Sequence, residues 1–127
     1  MALEIFWGSG SPFSWRVLLG AELKGLAYES RLLEFSKGQM KAPEFVGMNP
    51  RAKVPVIRDD GFVLFESLPI LEYFEDKWPD APLFGKDPRE TALIRRFISE
   101  FESYLREPIL ELTLGLLRSV GAGPPGR

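Results

Sequence analysis

Two serine-bearing segments are the places where this sequence offers most to a ligand. The first is Ser9-Gly10-Ser11, with Ser14 close behind, and the second is Glu66-Ser67. Each follows a short apolar run and precedes residues at helical spacing, where the backbone N–H groups of a first turn lack helical partners. A serine there caps the helix, or joins the free amides in holding an anion. A third segment, Lys53-Val54-Pro55, sets a basic side chain and a proline inside a strand-like stretch. Proline at such a point removes a ladder hydrogen bond. What is missing narrows the chemistry further. The chain has no histidine, so the commonest general base and the commonest transition-metal ligand are absent. It has no cysteine, which excludes a disulfide framework, a zinc-thiolate site and a dithiol redox pair. A Ser-His-Asp triad is impossible and only an all-carboxylate metal site remains. Any nucleophilic thiol has to arrive with a substrate or cofactor.

The elements that must position these residues follow from hydrophobic spacing. Residues 3–7 (LEIFW) read as a buried strand ended by Gly8-Ser9-Gly10. From Phe13 to Leu23 the apolar Trp15, Leu18, Leu19 and Leu23 recur at helical spacing, with Gly25 as a stop. At that spacing Trp15 is expected to face the core. Tyr28 to Phe35 reads as a strand, Ser36 to Lys41 as a polar stretch, and Pro43 to Val46 as a short helix. Lys53 to Arg58 reads as a strand interrupted by Pro55. Asp59-Asp60-Gly61 is a hairpin turn leading into the strand Phe62 to Phe65. Ser67 is the expected N-cap of a helix running to about Lys77. The order gives an α/β domain, one mixed sheet covered by helices.

Pro79, Pro82, Gly85 and Pro88 then break the chain, so the division expected is 1–79, a linker at 80–88, and 89–127. The last part opens with a long amphipathic segment carrying Leu93, Ile94, Phe97, Ile98, Phe101, Tyr104 and Leu105 on one broad face. Pro108 should end or kink it. Residues 109–117 are strongly apolar, and the final GAGPPGR reads as a flexible tail. The 127 residues are 45% hydrophobic and 27% charged, as expected of an ordinary globular protein. Sixteen basic against eighteen acidic residues give a formal charge of −2 with no basic run, so no nucleic acid partner is expected. The N-terminal MALEIFWGSG lacks the features of a signal peptide, and no apolar run is long enough to span a bilayer. The expectation is a cytoplasmic protein with no membrane partner.

SGSPFSWRVLL (9–19), NPRAKVPVI (49–57) and FESLPILEYFED (65–76), in this order and spacing, resemble the glutathione transferases, particularly the serine-dependent zeta and tau classes. The resemblance extends from residue 3 to about 106. It implies a thioredoxin-like βαβαββα domain followed by the start of an all-helical domain. It also implies glutathione as co-substrate with no metal, a small electrophilic second substrate, and a homodimer. Ser11 takes the place of the catalytic serine, with Ser14 and then Ser9 as the alternatives. A hydroxyl hydrogen bond to a thiolate contributes about 1.5–3 kcal/mol and a helix N-terminus about 0.3–1. Together they lower a thiol pKa of about 8.5 by about 1.5–3, enough to ionise much of it near neutral pH. The resemblance further implies a cis Val54-Pro55 bond that frees the Val54 backbone to pair with the peptide. Lys53 then meets its glycine carboxylate, Glu66 its ammonium, and Ser67 its γ-glutamyl carboxylate. Phe13 lies toward the electrophile pocket, and Gln39 and Lys41 are further candidate contacts. Pro69 departs from the small or basic residue that many relatives carry. The competing reading is a non-catalytic binding or dimerisation module, favoured by the short helical part. A glutaredoxin-like reductase fails, because no cysteine is present to exchange.

Overall fold

The computed structural model describes residues 2–121. The expected flexible tail from Ala122 onward lies outside them. Two compact units make up the chain, Met1–Leu83 and Phe84–Arg127.

Unit one is built on four strands, β1 (Leu3–Gly8), β2 (Tyr28–Leu33), β3 (Val56–Asp59) and β4 (Phe62–Phe65), in the order β2-β1-β3-β4. β1 and β2 are parallel, joined through the helix α1 (Pro12–Leu23), whereas β3 runs antiparallel to both β1 and β4. The β3–β4 hairpin turns at Asp60 and Gly61, whose φ values of 48° and 84° match the twist of a tight hairpin. Strand alternation divides β1 between two environments. Leu3 and Ile5 are buried core residues. On the opposite side Phe6 meets Phe45 of the short helix α2 (Pro43–Met48), with ring centroids 6.4 Å apart. Beside it, Glu4 accepts hydrogen bonds from Arg58 at 2.6 and 3.1 Å and from Arg31 at 3.1 Å.

The helix α3 (Ser67–Lys77) packs parallel to α1 in a single register. Arg16 reaches Ser67, Gly20 lies against Leu71, and Lys24 reaches Glu75. Both hydrogen-bonded pairs are separated by 51 positions, and eight residues along each helix place them about 12 Å apart. Gly20 allows the close approach, since a Cβ there would sit 2.3 Å from Leu71 Cδ2. The buried positions of α1 are consequently Ser14, Val17, Gly20 and Ala21. This overturns the expectation that Trp15 faces the core, for it is 58% exposed, and Leu19 and Leu23 of the same apolar set are exposed as well. A helix packed this tightly needs small residues inward, so its bulky stripe falls on the outside.

Other expectations also shift. β2 stops at Leu33, and the stretch expected to finish that strand and continue as polar coil forms two 3₁₀ turns, Phe35–Lys37 and Gln39–Lys41. The strand expected from Lys53 begins only at Val56, just after Pro55, which has no N–H to give a ladder; the Val54-Pro55 bond is cis. Ser67 is the first residue of α3 rather than its cap; Glu66 holds the cap position with φ 77° and ψ 122°. A glutamate with positive φ is strained, since its Cβ crowds the backbone.

Unit two is one continuous helical run. The helix α4 (Pro88–Glu100) is capped by Asp87, whose carboxylate accepts from the Arg89 and Glu90 amides at 2.9 and 3.1 Å. A π-helical stretch, Phe101–Leu105, leads into α5 (Arg106–Gly121). Pro108 neither ends the helix nor replaces it by a turn. Its missing N–H is accommodated where the wider π turn has already shifted the hydrogen-bond pattern. Ile94, Ile98 and Phe101 are half-buried, while Leu93, Phe97, Tyr104, Leu105, Ile109 and Leu112 are exposed. Among the described residues, no helix is long and apolar enough to cross a membrane.

Candidate functional site

The serine segment after β1 is shaped by a tight turn. Ser11 N–H donates to the Gly8 carbonyl at 3.2 Å, with Gly10 at φ 84° in the position that requires glycine. Ser11 therefore emerges at the N-cap of α1 in extended conformation, φ −86° and ψ 113°, followed by Pro12 at the first helical position. Its Oγ accepts the Ser14 N–H at 3.2 Å. With that lone pair engaged, the hydroxyl proton is left to point away from the helix. Ser11 is half-buried and Ser9 is exposed. Ser14 is completely buried, and its Oγ accepts the Gly8 N–H at 3.3 Å. It is a core serine that ties β1 to α1 and has no surface to offer a ligand.

Ser67 is buried at the head of α3, where its Oγ accepts a hydrogen bond from Arg16 Nη1 at 3.1 Å. No side chain caps this helix end, and Pro69 contributes no N–H to its first turn. The Ile70 N–H already bonds to the Glu66 carbonyl at 3.1 Å. The amides of Ser67 and Leu68 are therefore the first-turn donors directed outward. Glu66 is exposed beside them. The site's position on helix ends follows from the parallel packing of α1 and α3. Their N-termini lie at the same end of unit one, and Ser11 stands five residues before Arg16, about 7.5 Å along the axis.

The Lys53-Val54-Pro55 segment is held by Asn49, which is buried. Its Nδ2 donates to the Lys53 carbonyl at 2.8 Å and its Oδ1 accepts the Arg51 N–H at 3.0 Å. Lys53 is exposed, Val54 half-buried and Pro55 buried. Among the described residues, no strand pairs with Val54, since the β1–β3 ladder begins with Phe6 opposite Val56. Phe13 is half-buried, with the Arg16 guanidinium 5.6 Å from its ring centroid. Gln39 and Lys41 are exposed, and Gln39 Oε1 accepts the Glu34 N–H at 2.7 Å, which ties the 3₁₀ turns to the end of β2.

Two residues that sequence reasoning passed over enter this region. Arg16 links the two helix ends; a basic side chain in an amphipathic helix ordinarily reads as solvated, and its partner lies 51 positions away. Phe35 sits against Gly8, where a Cβ would come 2.4 Å from its ring. Glycine immediately before the serine turn was the available signal. Among the described residues, no group of three or more histidines, cysteines or acidic residues is placed to hold a metal ion.

Comparison with known proteins adds an independent line. A family model described as "Glutathione S-transferase, N-terminal domain" matches residues 10–77. Glutathione S-transferase 1 of Dianthus caryophyllus is 36% identical over 91 residues, covering 72% of this chain and 41% of that protein. Maleylacetoacetate isomerase of Rattus norvegicus is 36% identical over 113 residues, covering 87% of this chain and 51% of that protein. The crystal structure of a glutathione transferase homolog from sulfitobacter with bound glutathione superposes with a TM-score of 0.73 at 26% identity, over 80% of this chain and 49% of that one. The chain spans about half the length of the curated relatives it matches.

Proposed function

The chain belongs to the glutathione S-transferase family, and on that premise we propose that unit one binds glutathione and that Ser11 stabilises its thiolate. The observation that carries this reading is a pair of hydroxyls at helix N-termini, each accepting a hydrogen bond from within the protein. Ser11 accepts from the Ser14 N–H and Ser67 from Arg16, so each proton is available to an anion outside. The two hydroxyls stand at the same end of unit one, about 7.5 Å apart along the helix axis, and the single γ-amide link of the peptide runs between the thiol and the γ-glutamyl carboxylate. Ser67 and the Ser67 and Leu68 amides receive that carboxylate, with Glu66 beside them for the ammonium group. The unpaired Val54 backbone before Pro55 receives the cysteinyl unit as an added strand, and exposed Lys53 the glycine carboxylate. Phe13 and Gln39 border the bound peptide.

In the reaction proposed, the bound thiol gives its proton to solvent and the thiolate sulfur attacks an electrophilic carbon. A C–S bond forms while the leaving group departs with its electron pair; in an isomerisation the thiolate instead adds to a conjugated double bond, the resulting single bond rotates, and the C–S bond breaks to return the thiolate and release the isomer. Ser11 acts by making the sulfur anionic at neutral pH, through its hydroxyl and the end of α1. We assign the glutathione site to Met1–Leu83, treat Phe84–Arg127 as part of a helical domain, and expect a cytosolic homodimer. A second reading, a binding or dimerisation module without turnover, draws on the exposed apolar residues of unit two. Calorimetric titration of the chain with glutathione tests the reading. Saturable one-to-one binding that Ser67→Ala weakens is expected; absence of binding would refute it.

A further inference from the structure

Arg16 breaks an electrostatic rule. Cations stabilise the C-terminal end of a helix and oppose its N-terminal end, where the macrodipole is positive. Yet Arg16 is half-buried, and its guanidinium donates to Ser67, the first residue of α3. The pairing sets a guanidinium at a helix end that no side chain caps. It also fixes a proton. Arginine carries only donors, so Ser67 Oγ can be nothing but the acceptor toward Arg16, and its own O–H must turn toward another acceptor. Pro69 removes a third amide from this first turn, which raises the share of anion recognition resting on the Ser67 hydroxyl.

We propose that Arg16 is a positioning residue for the γ-glutamyl carboxylate of the bound peptide: it holds Ser67 as an outward hydrogen-bond donor and makes the head of α3 selective for a carboxylate. The proposal rests on the glutathione reading above and adds to it the residue that sets carboxylate recognition. The Arg16–Ser67 pair is also the upper of two struts between α1 and α3, the Lys24–Glu75 pair being the lower. Loss of Arg16 should therefore act on the ligand at the site end while the lower strut keeps the helices in place.

The test titrates the chain and its Arg16→Met, Ser67→Ala and double variants with two peptides. One is glutathione; the other is 4-aminobutyryl-cysteinyl-glycine, which lacks only the γ-glutamyl α-carboxylate. Arg16→Met should weaken glutathione by roughly 10- to 100-fold, as expected for a charge-assisted hydrogen bond, and leave the decarboxylated peptide within about twofold of wild type. The double variant should bind glutathione no more weakly than Ser67→Ala, because Arg16 acts through Ser67. The thiol pKa of saturating glutathione should stay at its wild-type value, since the carboxylate end alone is disturbed. If Arg16→Met does not fold, Arg16→Leu, which likewise has no donor, takes its place with the same expectations. Unchanged glutathione affinity, equal loss of both peptides, or multiplying effects in the double variant would each overturn the positioning role while leaving glutathione binding intact. Failure of the wild-type chain to bind glutathione would instead refute the functional reading, and this proposal with it.

Discussion

Replacing Lys24 by methionine keeps the aliphatic stem and removes an ammonium group that has no exposed surface. Lys24 Nζ donates to Glu75 Oε1 and to the Trp78 carbonyl, both at 2.7 Å, and more distantly to the Asp80 and Ala81 carbonyls at 3.4 Å. It therefore fastens the end of α1 to the end of α3 and to the segment that follows. Removing one partner of a buried ion pair costs about 3–5 kcal/mol. Glu75 softens that figure, being 19% exposed and still accepting the Leu83 N–H at 2.7 Å. The expected loss is then about 2–4 kcal/mol, a large fraction of the 5–15 kcal/mol typical of a domain. With an m-value of about 2 kcal/mol/M, the urea midpoint should fall by about 1–2 M. Adding Glu75→Leu to Lys24→Met should recover part of this, with a coupling energy of about 1–3 kcal/mol. A Lys24→Met midpoint matching wild type, or strictly additive single and double variants, would refute the strut.

Acid should weaken the fold through two carboxylates. Glu4 is held below its ordinary value of 4.5 chiefly by the Arg58 hydrogen bond, with Arg31 assisting against burial. Burial pushes Asp59 up, but hydrogen bonds from Lys77 and Tyr73 outweigh it and hold that group below 3.8. A depressed folded-state pKa gives stability that is present above the unfolded value and lost as pH falls through the folded one. Thermal stability should therefore drop below about pH 4.5, and the Glu4→Gln/Asp59→Asn variant should show a shallower decline; equal acid sensitivity would contradict this. Gly20→Val should destabilise by about 1–3 kcal/mol in urea denaturation despite its better helix propensity, because its side chain meets Leu71. A neutral Gly20→Val would mean that α1 and α3 part more easily than their register implies.

Much of unit one was legible because its signals are local. Asp60-Gly61 supplied the positive φ pair of the hairpin, and Ser9-Gly10-Ser11 supplied the turn before α1. Features that depend on distant partners were not legible. Trp15, Leu19 and Leu23 have the spacing of a core stripe, and only the approach of Leu71 to Gly20 reveals that the inward face is the small one. Ser67 has the composition of a cap, but the backbone strain at Glu66 moves the helix start by one residue and frees its hydroxyl for Arg16. Ser14 and Ser11 are alike in sequence and differ in burial, since helical periodicity turns Ser14 toward β1. Pro108 carries a helix-ending signal that the preceding π turn absorbs.

The central claim is that unit one binds glutathione and that Ser11 makes its sulfur anionic. The direct measurement is the thiol pKa of glutathione bound to the chain, followed by thiolate ultraviolet absorbance against pH, for wild type and Ser11→Ala. The account predicts a bound pKa of about 5.5–7, against about 8.5 for a free thiol, returning toward the free value in Ser11→Ala with binding retained. Binding with an unshifted pKa, or a lowered pKa indifferent to Ser11→Ala, would contradict it.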